Sequence, residues 1–148
     1  MIRPNAFTVF TVALFSLAAA CNVDRLGNMV ENADKRTFAP GEAIGAVNYQ
    51  RNDSSYWDQH VNRCRLDDSG VFSFSLGDSA PALKLNAAGT SAYAFVYPPD
   101  GPVRFERSQC DTFNFAAPSA KQPGKETLIC RKNGARLNTT IRFGACSR

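Results

Sequence analysis

The sequence predicts an all-β domain, an antiparallel β-sandwich or small barrel of about seven or eight short strands, stabilised by disulfides. Three observations carry this. Short alternating segments recur along the chain, separated by Gly, Pro and Asn turns. Eleven Phe stand against two Met and one Trp, and Phe favours pleated, half-buried surfaces. Four of the five cysteines lie within the strand-rich region, an even set that can close as two bridges. The chain has 148 residues, enough for one domain with a real core after a leader is removed.

The strands follow in order. "AIGAVNYQ", residues 43–50, is bounded by Pro40-Gly41 and by Asn52-Asp53-Ser54. "SSYWDQHVNRCRL", residues 54–66, is ambiguous: Trp57, Val61 and Cys64 fit helical spacing, while Trp57, Gln59 and Val61 also alternate. "GVFSFSLGD" sends Phe72, Phe74 and Leu76 one way and Val71, Ser73 and Ser75 the other. "PALKLN" continues after a turn at residues 77–81. "SAYAFVY" alternates Tyr93, Phe95 and Tyr97 with smaller residues. Pro98-Pro99-Asp100-Gly101 is a turn, after which Val103 and Phe105 share a face. "DTFNFA" adds Phe113 and Phe115, and residues 117–125 form a loop.

The last segment is the most legible. Asn133-Gly134 favours a type I′ turn, which pairs Lys132 with Ala135, Cys130 with Leu137, and Leu128 with Thr139. Leu128, Cys130, Leu137, Ile141 and Phe143 then face inward; Arg131, Arg136 and Arg142 face outward. This register constrains the cysteines. Cys146 lies nine residues beyond Leu137, roughly 30 Å away along an extended strand. A disulfide needs Cα atoms within about 7 Å, which disfavours Cys130 with Cys146 unless the strand folds back after Gly144. An antiparallel strand 111–116 brings Cys110 near Cys130. The expected pairs are Cys110 with Cys130 and Cys64 with Cys146.

The N-terminus has a different texture. Residues 6–20 carry no charge, a run too short for a comfortable membrane span and suited to a signal peptide. Leu17-Ala18-Ala19-Ala20-Cys21 resembles the lipobox of bacterial lipoproteins, with Ala18 where that family prefers Leu. The resemblance covers only these residues. It implies cleavage before Cys21 and a lipid on its thiol; ordinary signal cleavage near Ala20 is the alternative. Cysteine arithmetic agrees independently, because a lipidated Cys21 removes the odd thiol from an exported chain. The resulting organisation is a signal peptide at 1–20, a lipid anchor and polar tether at 21–42, and one β domain at 43–148. In the lipoprotein family Asp after the cysteine tends to hold the protein at the inner membrane; Asn22 here implies the outer membrane, facing the periplasm or the surface.

Charge is unevenly placed. Residues 101–148 hold nine Lys/Arg against three Asp/Glu, and residues 21–100 hold seven against ten. A basic third suits an anionic partner or, more simply, a solvated sheet face. No basic run alternates with aromatics along the sequence, so nucleic acid is not expected. The single histidine, His60, lies two residues from Asp58 and four from Cys64, without a companion metal motif. Asp53, Asp58, Asp67 and Asp68 fit no EF-hand-like spacing. No metal or cofactor is expected. Tyr56-Trp57 is the one pair with binding character, since exposed aromatics stack on sugar rings and dominate many interfaces; a core role for Trp57 is the plainer reading. The expected function is therefore a non-enzymatic binding or structural module at the cell envelope, held to the membrane through Cys21, with a glycan or protein partner. Two alternatives remain. Size and anchoring resemble those of small periplasmic lipoproteins that inhibit lysozyme, with "GTSAYAF" a faint echo of their barrel motif. The other alternative is a small secreted enzyme using His60.

Overall fold

The computed structural model describes residues 36–52 and 55–148. Residues 1–20 and Cys21, the expected leader and lipid site, lie outside the described residues. Nine antiparallel strands form one sheet: β1 (Glu42–Arg51), β2 (Ser55–Leu66), β3 (Phe72–Ser75), β4 (Leu83–Asn86), β5 (Tyr93–Val96), β6 (Val103–Glu106), β7 (Cys110–Ala116), β8 (Gly124–Lys132) and β9 (Ala135–Phe143). Their order across the sheet is β6-β5-β4-β3-β2-β1-β9-β8-β7. The sheet curls into a nearly closed barrel whose edge strands are β6 and β7. Single 3₁₀ turns at Gly89–Ser91 and Arg107–Gln109 are the only helix among the described residues. The strand count is thus slightly above the seven or eight expected. The ambiguous segment is β2, a strand of 12 residues whose helical spacing reflects a break in alternation between Val61 and Cys64, opposite a register shift in β1, rather than a helix.

The hairpin β8–β9 sits in the expected register. Cys130 faces Leu137, Leu128 faces Thr139 and Lys132 faces Ala135. Asn133 and Gly134 take φ values of 46° and 79°, the left-handed pair that a type I′ turn requires. Period-two alternation buries Leu128, Cys130, Leu137, Ile141 and Phe143 and leaves Arg131 and Arg136 exposed. After Phe143 the chain turns back. Gly144 N–H donates to the Glu42 carbonyl, and Ser147 bridges to Arg65. That return brings Cys146 to Cys64, with Cα atoms 4.9 Å apart, and Cys110 bonds Cys130 across β7–β8.

The core lies inside the barrel. Phe72 packs on Phe115 and Phe143, with ring centroids 4.8 and 5.9 Å apart, and Phe74 meets Phe143 edge-on at 5.2 Å. These rings join β3 to β7 and β9 across the interior. Gly124 exists for them: a Cβ there would collide with the Phe143 ring. Residues 36–41, within the segment read as tether, close one end of the barrel. Arg36 pairs with Glu42, Ala39 N–H donates to the Glu42 carboxylate at 2.8 Å, and Gly41 N–H donates to the Ala145 carbonyl at 2.6 Å.

Candidate binding face

Strand β5 reverses the usual arrangement. Ala92, Ala94 and Val96 are fully buried, while Tyr93, Phe95 and Tyr97 stand on the outer surface, half-buried. Packing explains the choice. Ala94 lies between Leu85 on β4 and Phe105 on β6, both fully buried. A row that runs large, small, large interdigitates at interior density, and a third large side chain there would overpack it. The aromatic set of β5 is therefore turned outward.

Cross-strand register then builds a mixed surface around these rings. Arg65, Ser73, Lys84, Phe95 and Arg104 occupy one row across β2, β3, β4, β5 and β6. Asn86, Tyr93 and Glu106 form the adjoining row. Tyr93 meets Phe95 edge-on at 5.7 Å, and Phe95 stacks on Tyr97 at 6.3 Å. The Arg104 guanidinium lies 4.1 Å over the Tyr93 ring and 5.6 Å from Phe95. Lys84 Nζ lies 5.9 Å from the Tyr97 ring on the other flank. Such contacts are each worth about 0.5–1 kcal/mol at exposed sites. Glu106 accepts from Arg104 Nε at 2.5 Å, which orients the guanidinium and raises its pKa above the ordinary arginine value.

A groove continues this surface. β3 pairs with β2 only over residues 63–66, so the upper part of β2 diverges from the rest of the wall. At the divergence Asn62 Oδ1 accepts from Gly77 N–H at 2.7 Å. The resulting notch, about 460 Å³, is lined by Trp57, Gln59, Leu76, Pro81, Lys84 and Tyr97. Lys84 and Tyr97 belong to both the notch and the aromatic ladder.

The residues singled out from sequence fall in different places. Tyr56 and Trp57, adjacent on a strand, point to opposite faces. Tyr56 is 68% exposed on the outer surface and its hydroxyl donates to Asn48 Oδ1 at 3.4 Å. Trp57 packs against the core and lines the notch. The two do not make one platform. His60 is exposed on the outer side of β2, opposite Ala46 on β1. Asp67 is occupied by a turn: it accepts from Ser69 Oγ, Ser69 N–H and Val71 N–H, and the Ser69 hydroxyl bond leads in holding its carboxyl below the usual range. Among the described residues no cluster of three or more His, Cys, Asp or Glu is placed to hold a metal.

Lys84, Phe95 and Arg104 were not among the sequence candidates. They lie 9 to 20 positions apart, and only register joins them. A second unanticipated feature is Glu126, fully buried in the interior two residues before Leu128. The Thr139 hydroxyl donates to Glu126 Oε1 while accepting from Leu128 N–H, and Oε2 has no hydrogen-bond partner. Burial pushes the Glu126 carboxyl up to about 8, against the Thr139 bond and the positive charge of Arg142. Comparison with protein-family models, with curated proteins and with solved structures finds no match for this chain.

Proposed function

We propose that the protein is an envelope-anchored binding module that acts without catalysing a reaction. The outer face of β4–β6, together with the Trp57 notch, is its contact surface, and a lipid on Cys21 holds it at the outer membrane, facing the periplasm or the surface. The carrying observation is the inversion on β5, where three consecutive outward positions are aromatic and are flanked by Lys84 and Arg104. Aromatic rings with a few placed polar groups fit glycan or protein partners, because they give apolar contact at low conformational-entropy cost. The anchor is supported by the leader pattern and by the cysteines. The other four are used in two disulfides, which sets Cys21 apart.

The test is fractionation of cells expressing the full chain. Wild type is expected in the membrane fraction with the mass of a lipidated N-terminal Cys21, and Cys21→Ser is expected in the soluble fraction. Purified wild type in detergent is expected to be retained by envelope material freed of lipid, where the anchor has nothing to enter, and the double variant Phe95→Ala, Tyr97→Ala is not. Soluble wild type with a free Cys21 thiol would reject the anchor. Equal retention of the double variant would reject the binding face.

A further inference from the structure

Resting on the binding-module reading, we infer that the partner of this face is an acidic polysaccharide, a chain of pyranose rings bearing carboxylates, lying along β5. Three features of the surface select this chemistry.

The first is the shape of the aromatic track. Tyr93, Phe95 and Tyr97 place ring centroids 5.7 and 6.3 Å apart along one strand. Phe95 and Tyr97 lie within 28° of parallel, while Tyr93 stands edge-on to Phe95 beneath Arg104. A pyranose chain presents apolar C–H faces at comparable intervals, so two consecutive sugars can rest on Phe95 and Tyr97. The notch beyond Tyr97, which Trp57 also lines, lies at the end of this track.

The second is where the cations stand. Lys84 and Arg104 are in register with Phe95 on the two neighbouring strands. Adjacent strands are about 4.8 Å apart, so the two cations rise on opposite sides of the track, with Lys84 Nζ toward Tyr97 and the Arg104 guanidinium toward Tyr93. An extended polyuronate turns successive carboxylates to alternate sides of its axis, which matches cations on both flanks. A single nucleic-acid strand carries its phosphates on one edge and its bases on the other, so it would use one flank only. An acidic peptide can alternate its carboxylates but lacks flat apolar rings to lie on Phe95 and Tyr97. Among the described residues two carboxylates lie near the flanking cations: Glu106 at Arg104, and Asp67, whose carboxyl feels the Lys84 charge but is held in its own turn by Ser69 and Val71. The bonds of Glu106 to Arg104 Nε and Nη2, at 2.5 and 3.4 Å, fix the guanidinium rather than occupy the centre of the face.

The third is the compartment. Two disulfides indicate an oxidising space, where cell-surface polymers rather than cytoplasmic nucleic acids are the abundant anions. Ser73, between Arg65 and Lys84 in the same row, adds a hydroxyl suited to sugar hydroxyls.

The experiment measures binding of the full chain in detergent micelles to four probes: polygalacturonate, neutral dextran, poly-glutamate and a single-stranded oligothymidylate. Polygalacturonate is expected to bind best. Phe95→Ala should weaken it about tenfold, as loss of a stacked ring does. Lys84→Ala and Arg104→Ala should each weaken it up to about fivefold, with the charge contribution fading in high salt. Thermal unfolding of each variant confirms that the barrel is intact. If dextran, poly-glutamate or the oligonucleotide binds as tightly and depends on Phe95, the acidic-glycan assignment is overturned and the binding face stands. If polygalacturonate does not bind at all, the assignment also falls, and envelope retention of the double variant reads the binding module separately. If polygalacturonate binds and no substitution on this face weakens it, both the assignment and the face are wrong.

Discussion

The hairpin β8–β9 and the strand β5 treat the same period-two pattern in opposite ways. The hairpin buries Leu128, Leu137, Ile141 and Phe143 and turns Arg131 and Arg136 to solvent. β5 buries Ala92, Ala94 and Val96 and turns Tyr93, Phe95 and Tyr97 outward. Burial of apolar area favours the hairpin arrangement everywhere it fits. Where neighbouring strands already supply Leu85 and Phe105, the interior has room only for small side chains. The lesson is that the aromatics of β5 contribute little to the core and are available for contact, whereas the one aromatic of the hairpin, Phe143, packs at the centre of the barrel.

Paired truncations break this comparison most sharply. Phe143→Ala removes a fully buried ring packed on Phe72, Phe74 and Phe115 and should cost about 3–5 kcal/mol in denaturant unfolding. Phe95→Ala should cost no more than about 1 kcal/mol, the scale of a cross-strand pair on an outer face. Similar losses for the two would mean that β5 faces inward.

The disulfides divide the molecule in a related way. Cys64–Cys146 spans 82 residues and ties the chain end to β2; Cys110–Cys130 spans 20 and lies within one strand pair. In the chain-entropy account the longer closure contributes about 4.5 kcal/mol and the shorter about 3.3 kcal/mol. Thermal unfolding of the two double Cys→Ser variants should order them so. A larger loss for Cys110–Cys130 would place the weak point at the β7 edge instead.

Glu126 is the polar exception inside the hairpin half. Its folded pKa of about 8 is raised above the ordinary carboxyl value, so the folded state holds a proton that the unfolded chain releases between those two pH values. Stability is therefore greatest in acid with respect to this group. It falls as pH rises toward about 8, by about 1.4 kcal/mol per pH unit at the steepest. Glu126→Gln should unfold later than wild type at pH 8 and lose this slope. A wild type equally stable at pH 5 and pH 8 with respect to the Gln variant would contradict the burial of the carboxyl. The smallest expected effect is at His60, where His60→Ala should leave unfolding within about 0.5 kcal/mol, as at other exposed positions; a larger loss would show that the outer side of β2 carries structure.

Much of the fold was legible because local chemistry specified it. The Asn133-Gly134 turn sets the register of β8–β9 through its backbone conformation, and that register places Cys130 where Cys110, not Cys146, can reach it. Glu126 was legible in principle, sharing parity with Leu128, but polarity argued against an inward place. The outward aromatic face of β5 was not legible. The alternation of β5 marks two sets of residues without saying which faces inward, since both are apolar. That choice depends on Leu85 and Phe105, which reach β5 only through the sheet. A break in the alternation of β2, opposite the register shift at Glu42–Gly45 of β1, hid its strand character: Asn62 and Arg63 both face outward, and Cys64 returns to the interior out of step with Val61.

Hydroxyl-radical footprinting of the native chain tests the central claim directly, because labelling reports which aromatic rings meet solvent. Tyr93, Phe95 and Tyr97 should label readily, Phe74, Phe105 and Phe143 should not, and added envelope glycan should protect the first three alone. Unlabelled Tyr93, Phe95 and Tyr97 in the free protein, or labelling that envelope glycan leaves unchanged, would contradict it.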